Sequence, residues 1–130
     1  MNRAEYAQKL SGYTLLIVDD DEVLTESMAK MYKRYFKEIY TANNGLEGIE
    51  LYKRCKPDVV VSDVTMPKCD GIAMAKELKE FDTSLKIIFA TGHNEEEYLK
   101  EFDPFGKSIT KPIDITVLLD SILEILEGVS

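Results

Sequence analysis

Apolar and polar residues fall in alternating blocks along this chain. Five short runs are dense in β-branched and aromatic residues: YTLLIVD (13–19), EIYTA (38–42), DVVVSD (58–63), LKIIFAT (85–91) and the weaker SIT (108–110). Each has the length and composition of a strand. Between them the apolar residues recur at helical spacing, with Leu24, Met28, Met31 or Tyr32, and Tyr35 on one face, Leu46, Ile49 and Tyr52 on a second, and Met74, Ala75 and Leu78 on a third. The segment NEEEYLKEF (94–102) predicts a short fourth helix. The last helix, in DITVLLDSILEIL, sets Ile115, Leu118, Leu119, Ile122 and Leu126 on one side behind Asp114 as N-cap. Residues 1–12 are polar and helix-prone, a short extension ahead of a core expected over about 13–127.

Strand then helix, five times over, predicts an α/β protein with a parallel sheet and helices on both faces. The near-continuous apolar character of LLIV and VVV fits strands covered on both sides. Gly, Pro, Asn and Asp punctuate the loops in ANNG, KPD, KCDG and KPID. No repeat, low-complexity tract or linker interrupts the pattern, so residues 1–130 are expected to form a single domain. Two arrangements of such strands are common, and the flavodoxin-like, doubly wound (βα)5 order 2-1-3-4-5 sets the first strand beside the third.

Composition narrows the chemistry. With 24 acidic against 16 basic residues the chain carries a formal charge of −8, a poor match for nucleic acid or an anionic membrane. Lys30, Lys33, Arg34 and Lys37 are spaced as one basic helix face, expected to be solvated. No run approaches the roughly 18 apolar residues of a membrane span. The N-terminal stretch lacks the apolar centre of a secretory signal, so the cytoplasm is the expected location and Cys55 and Cys69 are expected to be reduced.

In a parallel sheet all strands end on one edge, and ligands bind outside those carboxyl ends. Asp19, Asp20 and Asp21 follow the first strand, Asp63 ends the third, Thr91 the fourth, and Lys111 follows the fifth. Carboxylates so close repel by about 4 kcal/mol per pair at 4 Å in an effective dielectric near 20, so something positive must compensate. A hard cation with oxygen ligands suits the cluster, and Mg2+ fits it best. An aspartate beside Mg2+, with a hydroxyl and an ammonium in reach, is arranged to attack a phosphoryl group.

In this order and at these distances, LLIVDDDE (15–22), VVVSDVTMPKCDG (59–71), FATG (89–92) and ITKPID (109–114) resemble the receiver domain of two-component response regulators, of the chemotaxis-regulator-like kind, over roughly residues 13–127. The resemblance implies a phosphorylation-dependent switch and no turnover of a metabolite. Asp63 would accept a phosphoryl group from a phosphohistidine on a sensor histidine kinase or phosphotransfer protein. Asp20 would ligate Mg2+ directly, Asp19 through water, and the backbone carbonyl of Thr65 would complete the protein's share. Thr91 and Lys111 would contact the phosphoryl oxygens, and the Lys111–Pro112 peptide would be cis. Thr65 and His93 match positions that control water access. Ser108 stands where the family often has a Tyr or Phe switch, and the span from Thr91 to Lys111 looks short, which predicts a reduced fourth helix. Output would pass to a downstream target protein or an output domain not encoded here.

Two other functions fit parts of the pattern. A receiver-like docking module would keep the fold without phosphorylation. Residues 19–23 also match the D-x-D-x-V of haloacid-dehalogenase-like phosphatases, with Asp19 as nucleophile, but ITKPIDITVLLD lacks the acidic pair that family needs after its lysine. Flavin binding on this fold is disfavoured because acid after the first strand would repel the cofactor phosphate.

Overall fold

The apolar runs become five strands, β1 (Thr14–Val18), β2 (Glu38–Ala42), β3 (Val59–Asp63), β4 (Ile87–Thr91) and β5 (Gly106–Thr110), in a computed structural model that describes residues 1–92 and 106–128. They pair in parallel in the order β2-β1-β3-β4-β5, the flavodoxin-like arrangement. Five helices lie among the described residues: α1 (Arg3–Leu10), α2 (Glu22–Tyr32), α3 (Gly45–Cys55), α4 (Gly71–Phe81) and α5 (Ile115–Glu127). The expected helix over 94–102, and His93, lie outside the described residues.

Strand side chains alternate between two cores because successive Cβ atoms point to opposite faces of a pleated sheet. Leu15, Ile17, Val59, Val61 and Ile88 pack with residues of α1, α2 and α5 on one side. Leu16, Val18, Val60, Ile87 and Phe89 pack with residues of α3 and α4 on the other. Burial on both faces is what made LLIV and VVV read as unbroken apolar runs.

Four differences from the sequence expectation have physical causes. First, α2 stops at Tyr32, with Lys33 as C-cap, so Lys30, Lys33, Arg34 and Lys37 do not form one helix face. Tyr35 and Phe36 are buried outside the helix, and the Tyr35 amide bonds the Tyr32 carbonyl at 2.9 Å. Second, Leu46 is 55% exposed, and α3 instead turns Gly45, Gly48, Ile49 and Tyr52 inward. A Cβ on Gly48 would meet Met74 Sδ at 2.6 Å and Val18 Cγ2 at 3.2 Å, so the bare backbone is what brings this helix onto the sheet. Third, β5 begins at Gly106, ahead of the expected Ser108, because register with β4 extends to Ile87↔Gly106.

The fourth concerns the N-terminus. Residues 3–10 form a helix whose capping box joins Asn2 and Glu5 reciprocally. Leu10 is fully buried, and Tyr6 is buried against Tyr35 in an edge-on contact of 6.5 Å. The Tyr6 hydroxyl donates to Asp120 Oδ1 on α5 at 2.6 Å. The core therefore starts ahead of residue 13. Leu10→Ala should cost about 2 to 5 kcal/mol, the usual range for such a core truncation. Urea unfolding measures it, and a loss below about 0.5 kcal/mol, typical of surface changes, would show α1 to be an appendage.

Candidate functional site

The β1–α2 turn divides its acids between two jobs. Asp21 caps α2, its side chain accepting from the Leu24 amide at 3.1 Å. That bond satisfies one of the orphan amides of the first turn. Asp19 and Asp20 are left to face the sheet edge. Asp19 is buried, with Oδ1 accepting from the Asp21 amide at 2.9 Å, while Asp20 is exposed.

Asp63 ends β3, next to β1 in the sheet. It is 7% exposed, and its Oδ1 accepts from the Val64 amide at 2.9 Å and from Lys111 Nζ at 2.9 Å. The same ammonium lies 3.9 Å from Asp19 Oδ2. Lys111 is held by its own amide, which donates to the Thr91 carbonyl at 2.7 Å, and the Lys111–Pro112 peptide is cis, as the resemblance implied.

Carboxylate oxygens of Asp19, Asp20 and Asp63 lie within 4.8 Å of one another. An octahedral Mg2+ at about 2.0 to 2.1 Å from its ligands sets adjacent ones about 3 Å apart and opposite ones about 4 Å apart. The 4.8 Å span exceeds the opposite-ligand distance by less than about 1 Å, and three carboxylates suit a hard cation in charge, so the donor set fits Mg2+. Burial pushes the Asp19 carboxyl above its ordinary value. The bond from the Asp21 amide works against that rise, the charges of Asp63 and Asp20 add to it, and Lys111 offsets part.

The remaining expected residues distribute as follows. Thr91 is buried at the end of β4, one position beyond the Asp63↔Ala90 register pair, with its hydroxyl 3.3 Å from the Ile109 carbonyl of β5. Thr65 is an exposed loop residue directly after Val64, whose carbonyl accepts from the Gly71 amide at 2.8 Å. Ser108 is exposed on β5 and registers with Phe89.

Two positioning features escaped the sequence reading. Asn43 Nδ2 donates to the Asp19 carbonyl at 3.0 Å and lies 3.3 Å from the buried Thr25 hydroxyl, tying the β1–α2 turn to the end of β2. The ANNG tetrapeptide showed loop chemistry, but its spatial neighbour becomes visible only once β2 lies beside β1. Gly71 lets α4 begin against the strand end, since a Cβ there would sit 2.1 Å from the Asp63 carbonyl oxygen.

With this geometry in view, the family follows. The chain belongs to the response regulator receiver domain family, whose model matches residues 15–123. It is 36% identical over 114 residues to the chemotaxis protein CheY of Halobacterium salinarum, covering 86% of this chain and 95% of that protein. It is 27% identical over 114 residues to the sporulation initiation phosphotransferase F of Bacillus subtilis, covering 86% and 92%. The fold superposes with a TM-score of 0.81 on the CheX-CheY-BeF3-Mg2+ complex from Borrelia burgdorferi, at 26% identity and 92% and 97% coverage. A response regulator receiver domain protein from Clostridium thermocellum shares the fold with a TM-score of 0.84 at 21% identity, over 90% and 96% of the two chains. Receiver domains are in general signalling switches rather than metabolic enzymes, and the family typically uses Mg2+ at its acidic pocket. No helix among the described residues is long and apolar enough to cross a membrane.

Two outcomes test the electrostatic description. Asp19→Asn keeps an oxygen for the Asp21 amide while deleting one of the crowded charges. Without divalent cations at pH 7 it should raise stability by about 1 to 2 kcal/mol, a fraction of the repulsion of one close pair. Because the raised group disfavours the fold only when ionised, the gain should shrink as pH falls through the raised value and vanish below the unfolded value. Urea midpoints across pH measure this, and a gain that grew on acidification would contradict the description. Asn43→Ala should lower stability by about 1 to 3 kcal/mol, the cost of an unsatisfied buried acceptor, and should weaken Mg2+ binding in calorimetry.

Proposed function

We propose that this protein is a phosphorylation-controlled switch in which Asp63 receives a phosphoryl group from a phosphohistidine of a sensor histidine kinase or phosphotransfer protein. The observation that carries the reading is the joint position of Asp63 Oδ1, 2.9 Å from the Lys111 ammonium and inside a carboxylate cluster of Mg2+ spacing. In this reading Asp20, Asp63 and the Thr65 carbonyl hold the ion, with Asp19 acting through water. When bound, the ion supplies charge neutralisation for the transferring phosphoryl group.

The chain's own groups then have distinct tasks. An Asp63 carboxylate oxygen attacks phosphorus, the phosphorus–nitrogen bond breaks, and its electron pair stays on the imidazole of the donor. Lys111, already bonded to Asp63, takes a phosphoryl oxygen. The Thr91 hydroxyl takes another, and to do so it leaves the Ile109 carbonyl of β5, 3.3 Å away. Release of that bond gives β5 a local change that depends on phosphorylation, a route suited to a protein with exposed Ser108 at the usual aromatic position. The phosphorylated form then selects a different arrangement of the surface beside β5 for a downstream protein.

An apolar groove of about 300 Å3, lined by Leu24, Met28, Met31, Tyr32, Pro112 and Ile113, adjoins Lys111. It suits the helix of a partner that presents the phosphohistidine. The match to a relative whose solved complex contains Mg2+ and BeF3 supports the cation requirement. The working location in this reading is the cytoplasm, and the catalytic competence is limited to the domain's own phosphorylation and dephosphorylation.

Incubation with Mg2+ and acetyl phosphate should add one phosphoryl group by intact mass. Asp63→Asn, or omission of the cation, should abolish the addition. Mg2+ at about a hundredfold over its dissociation constant should also stabilise the fold by about 2.7 kcal/mol. Undiminished labelling of the Asn variant would remove Asp63 from its role, and no labelling of the unaltered protein would favour a docking module that keeps the fold alone.

A further inference from the structure

Five cations collect around the C-terminal end of α2. Lys30 lies in the last turn of α2, Lys33 caps it, Arg34 and Lys37 follow before β2, and Arg3 opens α1. They surround two hollows that share Lys30. One, of about 380 Å3, sets Lys30, Lys33 and Lys37 around a floor of Ala29, Phe36 and Ile39. The other, of about 250 Å3, sets Arg3, Lys30 and Arg34 beside Met31, Tyr35 and Ile115. Glu38 is the one acid among the described residues that line either hollow. None of the five cations forms an ion pair with a described residue.

The segment is built rather than loose. Tyr35 and Phe36 are 2% and 6% exposed, and the Lys37 amide donates to the Tyr13 carbonyl at 2.8 Å. Lys33, Arg34 and Lys37 are thus carried on an anchored turn that ends at the edge where the strands begin. Five of the 16 basic residues stand here on a chain of net charge −8, so the rest of the surface is more acidic than the total suggests. A long polyanion would meet that acidic remainder. A short acidic segment would feel mainly the local patch, because the screening length at physiological salt is about 8 Å. The apolar floor adds a second requirement that a sugar-phosphate backbone does not meet.

We propose that this surface docks a short acidic protein segment with interspersed apolar side chains, its carboxylates on the lysines and arginines and its apolar groups on Phe36 and Ile39. The hollow of Lys30, Lys33 and Lys37 lies about 12 Å along α2 from its start beside the acidic site, from the eight-residue step between Glu22 and Lys30 at about 1.5 Å each. It is therefore open to a partner in both phosphorylation states, which suits a tether that holds the switch near its kinase or target.

Fluorescence anisotropy with the full chain and a fluorescein-labelled peptide of alternating Glu and Leu tests this. Lys30→Glu/Lys33→Glu/Lys37→Glu should lose about tenfold or more in affinity, since each exposed pair contributes up to about 1 kcal/mol. Asp63→Asn should bind like the unaltered protein, which separates this surface from the phosphoacceptor. A Glu and Gly peptide of equal length should bind several-fold more weakly. Should the charge-reversed variant lose its circular dichroism signal, the three Lys→Gln changes carry the test, with about threefold loss expected. Failure of the unaltered protein to bind, equal binding by a folded variant, or equal binding of both peptides would overturn the proposal. Tighter binding of a single-stranded oligonucleotide or of phosphatidylglycerol vesicles than of the peptide would do so too.

Discussion

Three carboxylates within 4.8 Å of one another, two of them held by backbone amides, are the constraint on which the rest of the structure depends. Left alone they would separate, because each close pair repels by about 4 kcal/mol in a protein-like dielectric. The chain prevents separation with bonds that do not require a cation. The Asp19 carboxylate accepts from the Asp21 amide, the Asp63 carboxylate from the Val64 amide, and the Asp19 carbonyl from Asn43. Lys111 then supplies one positive charge against three negative ones. Net negative charge remains at this edge, two of its three carboxylates held in place by the backbone, and such unbalanced charge favours a divalent cation.

The scaffold makes this economical because parallel strands deliver their ends to one edge. Helices α2 to α5 all start at that edge as well, behind Asp21, Asn44, Asp70 and Asp114 as N-caps. Their positive ends favour nearby anions by about 0.3 to 1 kcal/mol each, a modest term that acts in the same direction for carboxylate and phosphoryl oxygen alike. Close approach is secured by absent side chains. Gly71 starts α4 against the Asp63 carbonyl, and Gly45 starts α3 against the Cys69 carbonyl, where a Cβ would lie 2.2 Å away.

Most of the architecture was legible because both faces of the sheet are covered. Runs such as VVV carry no competing helical period, and Asp19, Asp20, Asp63 and Lys111 stand at or just after strand ends, so their approach needed only strand order. What could not be read depends on contacts between distant segments. Tyr6 shows nothing of its bond to Asp120, 114 positions away, and a largely polar octapeptide whose large apolar residues are Tyr6 and Leu10 looks like an extension until α5 is set beside it. Leu46 was misplaced for the opposite reason: its hydrophobicity suggested burial, while glycines without hydrophobic signal took the inner face. The end of α2 was obscured by Tyr35 and Phe36, whose spacing continues the helical pattern although their burial comes from the turn that follows.

Helix geometry explains only part of where the cations of this molecule lie. Basic residues in the last turns of α2, α3 and α4, among them Lys30, Lys53, Arg54 and Lys79, complement the carbonyl ends of those helices. Arg3, Arg34 and Lys37 have no such duty, since Arg3 opens a helix and the other two lie between α2 and β2. A chain with an excess of acid has little need of three further cations beside Lys30 and Lys33 for folding, least of all around two hollows with apolar floors and without an ion pair to any described residue. Lys37 stands just ahead of β2, whose five residues at about 3.3 Å each separate it from the opposite edge by more than the screening length of about 8 Å, so the acidic cluster does not neutralise it. The carboxylates with Lys111 at one edge and Lys37 at the other therefore form separate clusters, each with its own dependence on salt.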